Sequence, residues 1–383
     1  MADTWEHVRY EQPAERVARI VLARPEAANA QDYRMLGELN EAFDRAARDD
    51  GIRVIVLAAD GKHFSSGHDL RAGTSMEGIE PVGTWCCFDA DGAEGYMATE
   101  AEMYVGLCWR WRNIPKPTIA QVQGKVIAGG LMLVWPMDLV VCSDDATFSD
   151  PVVAFGVNGH EYFTHPYEAG ARLAKEMLFT GRAITADEAL RHGMVNRVVA
   201  RDALETETLA MAEHIARRPM IGLTLSKQSV NNSLDAMGMY TAIQSAFGLH
   251  HVGHNHNQRL HGILVDTHGL VVCSEEATFA DPVVAFGVNG HEYFTHPYEA
   301  GARLAKEMLF TGRAITADEA YRHGMVNKVV PRDDLESETL AMAEHIARRP
   351  SIGLTLAKQS VNNTLDAMGM YTAIQSAFGL HHV

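Results

Sequence analysis

The chain has 383 residues, enough for two or three average domains, and its 47% hydrophobic content suffices for a substantial core. The formal net charge of −16 excludes a broad nucleic-acid-binding face, which would need clustered Lys and Arg to neutralise phosphates. The start MADTWEHVRY lacks the basic end and apolar run of a secretory signal, and runs such as LMLVWPM are far below the roughly 18 residues of a membrane span. We expect a soluble, cytoplasmic protein whose five cysteines are reduced thiols.

The first third of the chain alternates strand and helix signals. VARIVLA near Val17 and VIVLAAD from Val54 are typical of buried strands, and DYRMLGELNEAFDRAARD from Asp32 predicts an amphipathic helix between them. AEMYVGLCWRWRN predicts a further helix, and PTIAQVQG from Pro117 predicts a third strand that leads directly into IAGGLML. This order indicates an α/β fold.

The remainder of the chain contains a tandem duplication. Residues 139–252 align with residues 270–383 at a constant offset of 131, with eleven mismatches. Two copies are too few for a solenoid. The intervening GHNHNQRLHGILVDTHG is rich in Gly, His and Asn, which favours a linker. We therefore expect a core with a helical tail over residues 1–252, a linker over 253–269 and a second copy over 270–383.

Each copy contains mainly helical signals. Thr185 and Glu188 predict a capping box, and Gly193 stands where a glycine ends such a short helix. Asp202 and Glu205 open another predicted helix, with the apolar stripe Leu204, Met211 and Ile215. The first set of signals recurs at Thr316, Glu319 and Gly324.

Two glycine-containing turns carry the chemistry. HFSSGHDL (residues 63–70) and QGKVIAGGLML (123–133) each follow a predicted strand, and FSDP, LFTGRAITADEA and GMVNRVV come after them. In this combination residues 5–260 resemble the enoyl-CoA hydratase/isomerase, or crotonase, family. The resemblance implies stacked β-sheets in a repeated ββα spiral, a helical C-terminal region and an acyl-CoA thioester substrate in fatty acid or lipid metabolism.

Such turns have a physical reason of their own. A thioester reacts beside its carbonyl when preorganised N–H groups stabilise negative charge on the carbonyl oxygen, and one such donor contributes about 3–4 kcal/mol. The resemblance assigns the two donors of this oxyanion hole to the amides of His68 and Gly129. In the alternative, Gly67 and the pair Gly129–Gly130 only permit tight turns and close packing.

The sequence departs from the family pattern where hydratases carry two working glutamates. Those positions are Met132 and Val152, and neither side chain can carry a proton. Our first choice for the proton-moving carboxylate is Glu161, in the loop GVNGHEYF, and the second is Asp150. Asp150 before Pro151 could equally bond backbone in a turn, and Glu161 could be a solvated loop acid.

The substrate would bring its own coenzyme A, so we expect no separate cofactor. Arg24, Arg71 and Lys125 are candidates for its phosphates, with a solvated surface charge as the alternative for each. The remaining candidates for substrate contact are Ser66, Asp69, Gly130, Met132, Val152 and His160. The histidines of HHVGHNHNQRLH lack a Cys or carboxylate that would complete a zinc set, so we expect no metal.

The sequence thus predicts one complete site, because the His68 and Gly129 turns both precede the duplication. The second copy repeats Asp281, His291 and Glu292 and would form an added helical lobe or an oligomer interface. The favoured function is an acyl-CoA enzyme, either a lyase of the hydratase type or an isomerase. An acyl-CoA binder without turnover is the alternative. The family resemblance implies a homo-oligomer, either a trimer or a hexamer.

Overall fold

A computed structural model gives the fold and describes residues 5–69, 72, 75–260, 272–281, 295–348, 351–370 and 372–373. The chain divides into two compact units. The N-terminal unit comprises residues 1–150, 160–162 and 183–234, and the C-terminal unit comprises 151–159, 163–182 and 235–383. This division differs from the predicted boundary at residue 252, because part of the first copy lies in the same compact unit as the second.

The N-terminal unit contains a six-stranded sheet in the order β1-β2-β3-β4-β6-β9 and a three-stranded sheet in the order β5-β7-β8. In the large sheet β1 pairs antiparallel with β2, and the other neighbours are parallel. The strands are β1 (Val8–Ala14), β2 (Val17–Leu22), β3 (Val54–Ala59), β4 (Thr118–Val122), β5 (Lys125–Ile127), β6 (Leu139–Ser143), β7 (Thr147–Ser149), β8 (Ile184–Thr185) and β9 (Arg197–Val199). Strands β2, β3 and β4 confirm the three predicted from their apolar runs.

The helices of this unit connect the strands and flank the large sheet. They are α1 (Tyr33–Arg48), α2 (Ala93–Glu100), α3 (Leu107–Arg112), α4 (Gly129–Val134), α6 (Ala186–Arg191), α7 (Leu204–Ala216) and α8 (Met220–Ala236). A π-helical turn, Ala101–Gly106, joins α2 to α3. Helix α1 confirms the predicted amphipathic helix, and the Asp32 side chain caps it by accepting the N–H of Met35 at 2.8 Å.

Helix α7 buries one face of the large sheet. Leu204, Ala212 and Ala216 pack with sheet residues Val54 and Val141, and the partly buried Met211 and Ile215 join them, which confirms the predicted stripe. The helix predicted to open at Asp202 begins at Leu204, and its N-cap Ala203 makes no side-chain cap bond. The chain enters α7 through a 3₁₀ turn, Arg201–Ala203, that already contains Asp202.

The predicted capping boxes at Thr185 and Thr316 are both confirmed. Gly193 and Gly324 follow these short helices with φ of 76° and 73°, as a glycine after a helix end does. The two copies therefore share this local structure.

The C-terminal unit is mainly helical. Its elements are α5 (His165–Thr180), α9 (Met239–Leu260), β10 (Val272–Ser274), β11 (Thr278–Phe279), α10 (His296–Thr311), β12 (Ile315–Thr316), α11 (Ala317–Arg322), β13 (Lys328–Val330), α12 (Leu335–Ala347) and α13 (Ser351–Ala367). Helix α13 of the second copy packs against α5 and α9 of the first. Their apolar cluster includes Phe163, Leu178 and Phe179 on one side, and Leu354 and Val361 on the other. This packing unites parts of both copies in one unit.

The predicted linker is wrong over residues 253–260, because α9 continues to Leu260. His250 and His254 lie one turn apart there, with their Nε2 atoms 2.8 Å apart, and His250 Nδ1 bonds the carbonyl oxygen of Gly159 at 2.9 Å. These bonds hold a segment whose composition suggested a loop. Residues 261–269 of the predicted linker lie outside the described residues.

Two predictions concern the whole chain. All five cysteines are free thiols, as expected. Among the described residues, none of the helices has the length and apolar character needed to cross a bilayer.

Candidate active site

The two glycine-containing turns lie side by side in the N-terminal unit. Ser65 donates its N–H to the carbonyl of Lys125 at 3.2 Å, and its own carbonyl accepts the N–H of Ile127 at 3.0 Å. A Cβ on Gly67 would lie 2.7 Å from the carbonyl oxygen of Ile127 and 3.2 Å from the nitrogen of Gly129. Gly67 also has a φ of 91°, so both its conformation and its surroundings favour glycine.

Gln31 ties the two turns together. Its backbone N–H donates to the carbonyl of Gly67 and its carbonyl accepts the N–H of Asp69, both at 2.8 Å. Because these bonds flank His68, the His68 amide is directed away from Gln31. The buried Gln31 side chain meanwhile donates from Nε2 to the carbonyl of Gly129 at 2.8 Å. One residue thereby fixes the backbone of both predicted donors.

Gly129 and Gly130 begin α4 and are buried. Their N–H groups belong to the first turn of the helix, where backbone donors lack intrahelical partners. The preceding Ala128 has φ 45° and ψ −110°, a strained conformation for a residue with a Cβ. Strain of this kind is common where a chain presents its backbone to a ligand.

The His68 side chain connects this backbone to a carboxylate. Its Nε2 lies 3.1 Å from Glu161 Oε2, and its ring stacks on Tyr104 with the centroids 4.1 Å apart. A Cβ on Gly129 would lie 2.6 Å from His68 Cε1, so a larger residue at 129 would displace the ring. Glu161 is 4% exposed, so it is not a solvated loop acid. His68 and Glu161, both predicted site residues, are therefore in contact.

A second buried carboxyl group, Glu100, joins the same electrostatic cluster. Glu100 is 2% exposed at the end of α2 and accepts a hydrogen bond from the Tyr96 hydroxyl. Burial first, and then the charge of Glu161, raises the pKa of Glu100 well above its ordinary value. Burial also raises the pKa of Tyr33 and of Tyr104, with further contributions from both carboxylates. The cluster favours one negative charge over two.

Glu100 and Gln31 were not among the predicted site residues. Tyr96, Glu100 and Tyr104 are spaced by four residues, a pattern that places neighbours on one helix face and could have drawn attention to the acid. The π-helical turn that follows Glu100 is a feature frequent at functional sites, but no sequence signal identifies it. Gln31 carries no motif of its own.

Asp150 and His160 are both buried and joined through backbone. Asp150 Oδ2 accepts the His160 N–H at 2.8 Å, which matches the turn-forming alternative considered for Asp150. The His160 ring packs against Trp135 with the centroids 5.0 Å apart. Both residues thus hold the loop that carries Glu161.

The two residues that replace the usual glutamates lie in different compact units. Met132 is buried in α4, and its carbonyl accepts the thiol of Cys108 at 3.2 Å. Val152 begins a 3₁₀ turn of the C-terminal unit, Val152–Phe155. Neither contributes a group that exchanges protons.

A cleft of about 490 Å³ adjoins the first turn, lined by Arg24, Ala27, Ala30, Asp69 and Ala72. Arg24 Nη1 donates to Asp69 Oδ2 at 2.7 Å and to the carbonyl of Ala30 at 3.1 Å. The charge of Arg24 is therefore largely matched by that of Asp69. Ser66 is exposed on the same turn, while Arg71 lies outside the described residues.

Lys125 belongs to a basic cluster that the sequence analysis did not identify. Its backbone N–H donates to His63 Nδ1 at 3.2 Å, and its side chain is exposed, like that of Lys62. Burial first, and then the charges of Lys62, Lys125 and Arg201, lowers the pKa of His63. The cluster gives this acidic chain a local site for an anionic group.

A larger cavity of about 810 Å³ lies beside α1, and its walls include the acids Asp32, Glu38, Glu41, Asp44, Glu77, Glu80 and Glu102. Only three arginines, Arg34, Arg48 and Arg110, oppose these charges. A polyanion such as coenzyme A would be repelled there. The cavity is a poor candidate for the substrate.

Comparison with known proteins gives two matches to one family. The sequence model for enoyl-CoA hydratase/isomerase matches residues 12–265 and again residues 263–382. EchA13 of Mycobacterium tuberculosis, which carries a provisional enoyl-CoA hydratase name, is 43% identical over 260 residues, 66% of this chain and 82% of that protein. The second match agrees with the predicted duplication.

Solved structures agree with this result. A probable enoyl-CoA hydratase from Mycobacterium smegmatis is 49% identical with a TM-score of 0.62, over 68% of this chain and 99% of that one. An enoyl-CoA hydratase/isomerase from Xanthobacter autotrophicus is 33% identical with a TM-score of 0.57, over 65% and 87%. The predicted crotonase-like fold is confirmed.

Proposed function

The chain belongs to the enoyl-CoA hydratase/isomerase family, and on this premise we propose that it is an acyl-CoA enzyme with one oxyanion hole, formed by the His68 and Gly129 amides. The observation that supports this most directly is Gln31, which fixes the backbone of both turns at once. Donors held in place before the substrate binds need no reorganisation as charge develops on the thioester oxygen. Each would contribute about 3 kcal/mol to the barrier reduction.

Glu161 is the proton-moving group of the proposal. It takes the acidic proton beside the thioester carbonyl, and the electron pair left behind is delocalised onto the oxygen that the two amides hold. An isomerase returns the proton to another carbon of the acyl chain. A hydratase instead takes a proton from water, whose oxygen bonds to the β carbon as the double-bond electrons move onto the thioester oxygen, and the resulting enolate then takes a proton at the α carbon. His68 would position Glu161 through the 3.1 Å contact between Nε2 and Oε2.

Glu100 would keep its proton while Glu161 is ionised. Two buried carboxyl groups that interact cannot both be charged at low cost, and burial together with the charge of Glu161 raises the pKa of Glu100 well above its ordinary value. The neutral carboxyl can then donate a proton or a hydrogen bond to the substrate. This pair would supply the two carboxyl groups that Met132 and Val152 cannot. Asp150 is assigned a positioning role through the His160 backbone.

Coenzyme A would bind near the first turn, with its phosphates at the exposed Lys62 and Lys125, because Arg201 already pairs with Asp145 at 2.6 Å. The exposed Lys125 is better suited to meet phosphate than Arg24, which already pairs with Asp69. Coenzyme A arrives as part of the substrate, so no further cofactor is proposed. We also propose a homo-oligomer, in line with the family resemblance.

The test is turnover of a panel of 2-enoyl- and 3-enoyl-CoA thioesters, together with exchange of the acidic α-hydrogen in deuterated water. We expect turnover and deuterium incorporation for at least one thioester. The Glu161→Gln variant should bind it with an unchanged dissociation constant but exchange it at least about 100-fold more slowly. Tight acyl-CoA binding without exchange by the unmodified chain would favour the alternative, a binder without turnover. The observation in favour of this alternative is that Met132 and Val152 replace the usual glutamates and cannot carry a proton. Equal exchange by both proteins would reject Glu161 as the base.

A further inference from the structure

The duplication places two pairs of twin helices in one chain. Helices α5 and α10 have the same sequence, HPYEAGARLAKEMLFT, and α8 and α13 differ at only three of their positions. One helix of the first pair contacts one helix of the second pair, because α13 packs on α5. In the remaining two helices, α8 and α10, residues of the corresponding faces are exposed.

The buried face of α13, which packs on both α5 and α9, is a stripe of small and apolar residues. Its members Leu356, Ala357, Ser360, Val361 and Thr364 are all buried. Ala357 and Val361 belong to one cluster with Leu178 and Phe179 of α5. At its edge, Lys175 donates from Nζ to Asn362 Oδ1 at 2.9 Å. The stripe is thus a working helix-binding surface.

The twin stripe on α8 is exposed, and its members are Leu225, Ser226, Ser229, Val230 and Ser233. Leu225 and Val230 are 54% and 61% exposed, whereas their twins Leu356 and Val361 are 4% and 0% exposed.

Helix α8 is attached to its own unit by another side. Thr224 donates to the carbonyl of Pro115 at 2.8 Å, and Lys227 donates to that of Lys116 at 3.1 Å. Its apolar stripe therefore stays available.

The matching acceptor face is open on α10. Phe179 of α5 is 0% exposed, and its twin Phe310 of α10 is 76% exposed. The neighbours of Phe310 on this face, Ala302, Arg303, Lys306, Glu307 and Thr311, are also exposed, while their twins on α5 are buried or partly buried. An exposed phenylalanine on such a face is a common feature of interaction sites.

We infer that the exposed stripe of α8 in one copy of this chain docks on the Phe310 face of α10 in a second copy. The interface would reproduce part of the packing of α13 on α5: Val230, the twin of Val361, would meet Phe310, the twin of Phe179, whereas Leu309, the twin of Leu178, is already buried in the single chain. The occupant is a second copy because each chain carries one uncovered member of each matching pair. Burial of Leu225, Val230 and Phe310 supplies the driving force.

A polar contact can be repeated as well. His345 at the end of α12 donates from Nε2 to the carbonyl of Thr180 at 3.0 Å, next to the α5–α13 packing. Its twin His214 and the twin acceptor Thr311 are both exposed. In the proposed interface His214 of one copy would exchange its contact with Arg218, whose Nη2 lies 3.1 Å from His214 Nε2, for a bond to the carbonyl of Thr311 of the other.

Such a contact uses a different surface on each partner. It therefore continues from chain to chain, closing into a ring or extending as a filament, and does not stop at a symmetric dimer. This inference does not depend on the acyl-CoA chemistry. The chemistry could fail while the assembly stands, or the reverse.

The experiment measures the mass of the full chain by sedimentation over about 1 to 100 µM, a range that spans ordinary micromolar affinities. We expect association in the unmodified chain, and at least a 100-fold weaker association for Val230→Asp and for Phe310→Asp, because each would bury an unpaired charge. Gln228→Asp is the matched control, since Gln228 and its twin Gln359 are both exposed. Circular dichroism should be unchanged in all three, because the mutated side chains are exposed in the single chain.

Mixing the two defective variants gives the sharpest result. The Phe310→Asp chain keeps an intact α8 stripe and the Val230→Asp chain keeps an intact α10 face, so the mixture should form one-to-one heterodimers and nothing larger. A monomeric unmodified chain at every concentration would overturn the inference and leave these faces to a different protein. Undiminished association of either variant, or no heterodimer on mixing, would also overturn it.

Discussion

The two copies of the repeated segment have nearly the same sequence and very different surroundings. In the first copy, Phe179 is enclosed in an apolar cluster, and in the second its twin Phe310 is 76% exposed. Helices α8 and α13 likewise use different faces of almost the same sequence. The comparison separates what a segment determines by itself from what its neighbours determine.

Local structure repeats at the positions that the structure describes in both copies. The kink within α5 occurs at Gly170 with φ 72°, and that within α10 occurs at Gly301 with φ 74°. The capping boxes of α6 and α11 also repeat. These features depend on residues within one or two helical turns, and the duplication copied those residues. Burial depends on packing partners elsewhere in the chain, which differ between the two copies.

The largest expected difference between the copies is catalytic. Glu161→Gln should lower kcat by about 10²- to 10⁴-fold, because the amide cannot accept the proton. The same change in the second copy, Glu292→Gln, should leave kcat within about twofold, because the glycine turns that complete the site occur once in the sequence. Steady-state kinetics with the best acyl-CoA of the panel measures both.

The outcome decides whether the second copy is catalytically silent. Comparable losses from both substitutions would mean that each copy provides a working carboxylate. The Glu292 position itself, like His291, lies outside the described residues. Asp281 of the second copy is described and contacts His296, with Oδ2 and Nε2 2.9 Å apart.

The next difference concerns stability. Phe179→Ala should lower the free energy of unfolding by about 3–5 kcal/mol, because it opens a cavity among residues of α5 and α13. Phe310→Ala should lower it by less than about 0.5 kcal/mol, because the side chain is already exposed. Urea unfolding of dilute protein measures both. Similar losses for the two variants would mean that α10 is covered within the single chain.

Much of this molecule could be predicted from local pattern. The strands at Val17, Val54 and Thr118 and the helix after Asp32 follow from apolar periodicity and a capping side chain. The meeting of the two glycine turns followed from their resemblance to a known family, and the contacts around Gly67 agree with it.

The remainder depends on contacts distant in sequence, which a local pattern does not encode. Glu100 reads as an ordinary helix acid, and its burial among tyrosines depends on how α2 meets the rest of its unit. Helix α9 continues past residue 252, and just before that point His250 bonds the carbonyl of Gly159. The packing of α13 on α5 required a choice between identical partners, which no single copy could reveal.

The smallest expected effect concerns how the stability of the chain depends on pH, and it arises from a residue of the unduplicated part. Glu100 has no twin, and its folded-state pKa lies above the unfolded value. The folded chain therefore retains a proton that the unfolded chain releases above about pH 4.3, so this residue makes stability fall as pH rises from there towards the folded pKa. Glu100→Gln removes the titrating group and should flatten the decline of the melting temperature between pH 5 and pH 8. Glu94→Gln, at an exposed position of the same helix, should leave the decline as it is. If Glu100→Gln also leaves it unchanged, the pH sensitivity arises elsewhere in the chain.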